Sequence, residues 1–390
     1  YAMGFKTMTG EPSLFRNRFK LNGRVEEVIL GCYVDDLLIA TSSMEAREWF
    51  LKRLSHRFPV TPNSTGIIDK DHPGLILSMD VHYDREAGIL RLDQKQAIEA
   101  LARKHGLDDP KKVRRLPIKD DQDLPKLEEA EVSQTEYLSV IGSGLHIAQV
   151  SRPDINYAIG VLSRHSAKPG HIHMAAAQDL VRYPYGIRDL QIEYKWQAKG
   201  GNEPIVFEKG EAVPRTLEQR LKASTPDENI PGNPLLFVDA DYAGCKVTRR
   251  STSGMVIMMN GGPITWSSRL QKITAQSSAE SEIYAVCEAV KEAIHIRLLC
   301  EDTGIRELNK PMAVYEDNAA CIALGHSLKS SKSAKHYQVR LRFLQEHVRD
   351  GTIEFEKVDT KEQLADGFTK ALSREPFESF RGRMLVRPAN

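Results

Sequence analysis

The sequence predicts a multidomain chain that combines α/β and α+β regions. Three observations lead there. From residue 235 onward, strand and helix patterns alternate, each ending near a turn or cap signal. Two polar stretches punctuated by Pro and Gly, 108–132 and 196–232, break the chain into blocks. The 390 residues suffice for two or three domains with sizeable cores.

Composition narrows the partners little. Lys+Arg number 54 against Asp+Glu 53, a net charge of +1, so any nucleic-acid binding must come from a local basic surface. The five cysteines (Cys32, Cys245, Cys287, Cys300, Cys321) have no CxxC spacing and read as reduced, intracellular thiols. No apolar run approaches membrane-spanning length and no signal peptide leads the chain. The first residue is Tyr1 rather than Met, which reads as a piece of something longer.

In the first block, Val25–Ser42 reads as a hairpin with Asp35 and Asp36 between apolar strands. The pair is either a polar turn or a catalytic site. Ser43 caps a helix to about Arg57 with Ala46, Phe50, Leu54 and Phe58 on one face. Leu75–Val81 is one strand, and Asp93-x-x-Gln96 is a capping box for a helix that Gly106 ends. After 108–132, Tyr137, Val140, Ile141, Leu145 and Ala148 form one helical face. Arg152-Pro153-Asp154-Ile155 opens a second helix, and His171–Tyr183 is a third, with His171 and His173 as surface residues.

The second half carries the chemistry. Leu235-Leu236-Phe237-Val238 reads as a strand buried on both faces that ends in Asp239. A hairpin turns at Asn260-Gly261-Gly262. A helix over about Ser278–Glu301 carries Glu282 on the edge of its apolar face. Ser277-x-x-Glu280 is its capping box, with Glu280 reaching back to Ser277. Strand Pro311–Tyr315 leads to Asp317, parallel to and beside the first strand, so their carboxyl ends meet at a switch point. Helix Ala334–Arg349 carries Lys335, His336, Arg340, Arg342 and Arg349, as a solvated face or a backbone contact. Strand Thr352–Val358 follows, and Thr360-x-x-Gln363 caps a closing helix with Asp366. Asp239, Glu282, Asp317 and Asp366 make an oxygen-only site suited to Mg2+ or Mn2+, with two ions if the carboxylates bridge, and to phosphodiester hydrolysis.

The wording of these segments resembles copia-type retrotransposon Pol polyproteins. The matching pieces are Asp239-Ala240-Asp241-Tyr242-Ala243-Gly244, Arg249-Arg250-Ser251-Thr252-Ser253-Gly254, Ser277-Ser278-Ala279-Glu280-Ser281-Glu282, Glu316-Asp317-Asn318 and Leu364-Ala365-Asp366. Tyr33-Val34-Asp35-Asp36-Leu37-Leu38 is similar to the catalytic hairpin of reverse transcriptases. The resemblance implies a partial reverse-transcriptase palm and thumb followed by a ribonuclease H-like mixed five-stranded sheet with flanking helices. The expected division is truncated reverse transcriptase 1–107, linker 108–132, helical connection region 133–195, linker 196–232, RNase H-like domain 233–375 and C-terminal tail 376–390.

The implied activity is hydrolysis of the RNA strand of RNA–DNA hybrids with two Mg2+ or Mn2+ ions. Asp239 would bridge both, Glu282 and Asp317 would hold one, and Asp366 the other. Asp35 would be a metal ligand and Asp36 its neighbour in an incomplete polymerase site. Arg249, Arg250 and Asn318 are candidates for nucleic-acid contact, or simple turn and cap residues. The implied partners are RNA–DNA hybrid, primer-template, and the rest of the Pol polyprotein (missing reverse-transcriptase half, integrase), with no membrane. The implied setting is the cytoplasm, in virus-like particles, or the nucleus. Departures from the family are Ser78 for Gly, Met174 for Trp, Gln178 and Asp179 for basic residues, Pro184 for Leu, and no His before Asp366. They leave a rival expectation: a decayed or co-opted copy that binds without catalysis.

Overall fold

The computed structural model describes residues 3–34, 36–58, 67–69, 71–119, 124–195, 234–304, 310–327 and 337–388. The chain is mixed α and β, with three sheets among the described residues.

The first sheet is an antiparallel meander of β1 (Lys6–Thr7), β2 (Leu14–Leu21), β3 (Arg24–Tyr33) and β4 (Asp36–Thr41). Asn22 and Gly23 both take positive φ, 50° and 82°, which suits the tight turn between β2 and β3. Helix α1 (Met44–Ser55) covers the sheet. The Ser43 hydroxyl accepts from the Ala46 N–H at 3.0 Å, as the cap pattern predicts. Ala46, Phe50 and Leu54 bury against Phe5, Val28 and Leu30, whereas Phe58 is exposed. Asp35 lies outside the described residues.

The second sheet runs β5 (Gly74–Ile76), β6 (Met79–Asp84), β7 (Ile89–Asp93) and β8 (Ile192–Lys195). The single strand expected over Leu75–Val81 is instead a hairpin. Leu77 and Ser78 sit at φ of 52° and 62° and fold β5 back on β6. Helix α2 (Lys95–Lys104) starts without the expected capping box: Gln94 is its N-cap, Asp93 accepts from the Lys95 N–H, and Gln96 donates to Asp80 instead. Gly106 takes φ of 66° just past its end, as expected.

The helices α3 (Gln134–Val150), α4 (Asn156–Ser163) and α5 (His171–Gly186) follow. His173, expected at the surface, is fully buried. Its Nδ1 accepts from the Gly170 N–H, and its ring stacks on His165 at 3.9 Å. Arg152, also buried, makes a paired ion contact with Asp154, which accepts from the Tyr183 hydroxyl at 2.6 Å. Of the stretch 108–132, Leu116, Ile118 and Leu124 lean on the core rather than standing free.

The third sheet has the order β11-β10-β9-β12-β13, built from β9 (Leu235–Ala240), β10 (Thr252–Met259), β11 (Gly262–Leu270), β12 (Met312–Glu316) and β13 (Ile353–Lys357). β9, β10 and β11 are antiparallel, while β12 runs parallel to both β9 and β13. Every residue of β9 is buried because the sheet is covered on both sides. Leu236 and Val238 face α6 (Ser278–Thr303), α7 (Ala319–His326) and α8 (Gln338–Arg349). Leu235 and Phe237 face a second core that includes residues of α2 to α5 and runs on to Leu385.

That second core takes in most of the expected C-terminal tail. Residues 374–384 form helix α10 (Arg374–Met384), which follows the short α9 (Asp366–Thr369). Phe377, Phe380, Met384 and Leu385 are buried, and Val386 exchanges backbone hydrogen bonds with Gln191. The helical region and the third sheet also touch directly: Trp266 Nε1 donates to the Ala148 carbonyl at 2.8 Å.

Candidate metal centre

Three carboxylates from three elements converge at the carboxyl end of β9. Asp239 comes from β9, Glu282 from the second turn of α6, and Asp317 from the loop after β12. Each offers an oxygen within 4.8 Å of the others. Asp239 and Glu282 are buried, and Asp317 is half-buried.

The local sequence explains this placement. β9 and β12 are parallel neighbours, so their carboxyl ends bring Asp239 and Asp317 to one edge. Gly254 lies opposite Asp239 on β10, where any Cβ would collide with Thr369, Phe368 and the Ala365 carbonyl. Its lack of a side chain therefore lets α9 sit against the sheet beside Asp239. Ser277 caps α6 by accepting from the Glu280 N–H. Glu280 reaches back to the N–H of Gln276 at 2.7 Å, one residue before the expected Ser277. With Glu280 occupied there, Glu282 is the carboxylate of the pair that joins the cluster.

Burial and mutual repulsion act on these acids together. Burial raises Asp239 to about 7, with Asp366 adding to the rise. Burial pushes Glu282 far above the ordinary carboxylate range, helped by Glu316 and Asp239. Among the described residues, Glu282 Oε2 is buried with no hydrogen-bond partner. A buried cluster of like charges with an unpartnered oxygen is costly without a cation. The triad can therefore hold a divalent ion.

Asp366 stands outside this grouping. It neighbours Asp239 and forms an ion pair with Lys370, 2.9 Å from Nζ to Oδ1. The expected Thr360 and Gln363 cap on its helix is absent. Asp359 caps a short turn at Thr360–Glu362, and α9 starts without a side-chain cap.

Thr360 and Gln363 do other work. Thr360 Oγ1 donates to Asp317 Oδ2 at 2.7 Å. Gln363 Nε2 donates to the carbonyls of Val238 and Tyr315, tying β9 to β12 beside the acids. Thr369 Oγ1 lies 2.5 Å from Asp239 Oδ2.

The sequence pattern alone does not single out Glu316 as a site residue. It is fully buried and raised well above the carboxylate range by burial, and Oε2 has no hydrogen-bond partner among the described residues. The available signal was its place as the last residue of a buried strand, one before Asp317. Arg249 is exposed, at φ of 55°, and Arg250 is half-buried. The Asn318 side chain caps α7 by accepting from the N–H groups of Ala320 and Cys321. Asp36 is exposed on β4, on a different sheet from the acids. Lys335 and His336 lie outside the described residues. Arg340 packs over the Tyr284 ring at 4.4 Å.

No protein-family profile matches the chain. It is 28% identical over 375 residues to the retrovirus-related Pol polyprotein from transposon TNT 1-94 of Nicotiana tabacum, covering 94% of this chain. To the Pol polyproteins from transposons RE1 and RE2 of Arabidopsis thaliana it is 29% and 28% identical, covering 98% and 91% of this chain. Over nearly its whole length the chain is similar to copia-type retrotransposon Pol polyproteins. The chain covers 25, 23 and 21% of those three relatives, so it spans about a quarter of their length. Among its described residues no helix is long and apolar enough to cross a membrane.

Proposed function

We propose that this chain hydrolyses the RNA strand of RNA–DNA hybrids with divalent metal, in the manner of a ribonuclease H. The observation that carries the reading is the convergence of Asp239, Glu282 and Asp317. The sheet order supports it, because three antiparallel strands followed by two parallel ones give the mixed five-stranded sheet that the resemblance implies.

The residues fit Mg2+ or Mn2+. The donors are all oxygen, and the unpartnered Glu282 Oε2 is what a cation would complete. Asp239, Glu282 and Asp317 would hold one ion, and Asp366 with Asp239 a second. Bound there, such ions supply Lewis acidity and charge neutralisation for phosphodiester hydrolysis. The chain's own groups orient the acids: Thr369 holds Asp239, Thr360 holds Asp317, and Gln363 locks the two strand ends. Arg249 and Arg250 are the proposed phosphate contacts, and selection for RNA would rest on contacts to the 2′-hydroxyl. The first sheet and α1, with Asp36, are proposed as part of a polymerase palm, as the resemblance implies.

The test uses the full 390-residue chain. Labelled RNA paired with DNA should be cut with Mg2+ or Mn2+ and not with Ca2+, whose looser coordination positions the phosphate poorly. Cleavage of equal rate by Asp239→Asn would sink the proposal.

A further inference from the structure

Charge is spread unevenly along this chain. Its net charge is +1, yet residues 111–119 carry five cations (Lys111, Lys112, Arg114, Arg115, Lys119) and no acid. Residues 370–387 carry five more, four of them arginines, against Glu375 and Glu378. The rest of the chain is therefore acidic overall. A chain so nearly neutral can hold nucleic acid only through a local basic surface.

The fold sets the two basic stretches side by side. Pro117 and Ile118 line one crevice with Gly367, Ala371, Leu372 and Phe377, so the first stretch lies along the bend between α9 and α10. Gly367 adjoins Asp366, which puts one end of this seam next to the candidate metal centre. Every residue from 111 to 115 is exposed. The acids here are outnumbered. Asp179 of α5 pairs with both Arg114, at 2.9 Å, and Arg182, at 2.8 Å. Glu378 of α10 pairs with Arg374 at 3.0 Å, and Arg381 and Arg115 also lie close enough to act on it. These cations hold its carboxyl below the usual range, the Arg374 hydrogen bond most of all.

Cations crowded in this way repel one another, and a partner with regularly spaced negative charge relieves them. A duplex backbone is such a partner. We propose that residues 111–115 and the outer face of α10 form a phosphate track that grips the hybrid duplex beyond the point of cleavage. The track is made from the two stretches whose composition reads as linker and tail. Arginine forks and lysine ammoniums meet phosphates without reading bases, so the grip is independent of sequence. This inference rests on the hydrolytic reading above and deepens it, by naming a surface that holds the substrate.

Binding to the full 390-residue chain tests it. The probe is a fluorescent hybrid whose RNA strand is 2′-O-methylated and resists cleavage. Its anisotropy in Mg2+ gives the affinity across a range of KCl concentrations. Lys111→Gln, Lys112→Gln and Arg115→Gln combined should weaken binding on the order of tenfold or more, and flatten the logarithmic salt dependence by roughly 0.9 per lost contact. Arg374→Gln should act in the same direction, by about one contact. Lys52→Gln, Lys104→Gln and Lys291→Gln combined remove the same charge from exposed sites on α1, α2 and α6. That control should stay within about twofold of native affinity. Melting curves show whether each variant folds, and if the first combination does not, Arg374→Gln decides. Native affinity and salt dependence in the folded first combination, or equal losses in the two triple variants, would overturn the inference. So would a native chain that leaves the hybrid unbound, whether or not it takes up anionic lipid vesicles. The expected binding differences without cleavage of an unmodified hybrid would instead refute hydrolysis and leave the track standing.

Discussion

The two aspartate-bearing regions of this chain stand in contrast. At the tip of the first sheet, Asp36 is exposed beside Val34, which is 88% exposed, and neighbouring Leu37 and Leu38 are open as well. At the end of β9, Asp239 is 6% exposed and meets acids from two other elements. Both regions place an aspartate at a strand terminus after a run of apolar residues. The difference is the cover. α6 and α9 pack over β9 and bury it, so charge there is expensive unless a cation or a proton answers it. Water answers the charge at the hairpin tip. A strand-end carboxylate becomes a site through what packs over it.

Neutralising acids in each region separates the two most sharply. Asp239→Asn should lower hybrid cleavage on the order of 10³-fold, since several kcal/mol of metal-derived stabilisation go with it. Its melting temperature should stay level or rise, because one of several repelling charges is gone. Glu282→Gln should cost roughly 10²-fold or more with the same gain in melting temperature. Were either variant to retain native cleavage, the contrast between the regions would collapse.

The acids' burial predicts a pH signature that the hairpin cannot give. Asp239 and Glu282 hold their protons more tightly folded than unfolded. Their contribution to stability is complete below the ordinary carboxylate range and is lost as pH rises through about 7 and beyond. Metal-free protein should therefore melt at lower temperature at pH 8 than at pH 5, and saturating Mn2+ at pH 8 should restore it. A flat metal-free profile would mean that the cluster is wetter than its burial implies.

Smaller effects sharpen the boundary of the site. Glu280→Ala removes the acceptor for the Gln276 N–H and should cost about 1 kcal/mol of stability, with cleavage within threefold of native. Thermal melting and initial rates on the same preparation separate the two. Asp36→Asn should change neither measurement, and a clear loss of hybrid cleavage would tie the hairpin to the metal centre after all.

The sequence made the acids of the centre legible because each sits at the edge of an element whose own pattern is strong. The alternation of β9 to β13 with α6 and α8 was readable for the same reason. The fold back at Leu77–Ser78 was not, because the turn uses residues that ordinarily avoid positive φ, within an apolar run. The pairing of β7 with β8 was hidden by distance: Arg91 and Glu193, which form an ion pair across it, lie 102 residues apart. Glu316 escaped notice because an acid beside an acid reads as solvent-facing, whereas the end of β12 buries it. Gln363 looked like a cap because its spacing from Thr360 fits one. Its amide goes instead to two carbonyls that only the parallel pairing of β9 and β12 brings together.

The backbone clasp between Gln191 and Val386 has a consequence for how the chain is made. A ribosome releases β8 and α5 long before it releases α10. Until then, the seat that Phe377, Phe380 and Leu385 will fill stays open, and the apolar side of β9 arrives with its lid incomplete. The nascent chain thus presents a sticky surface during a fixed interval of translation, the kind that chaperones hold and proteases cut. A premature stop codon within residues 374–385 would make that interval permanent, although every acid of the candidate metal centre would already have been translated.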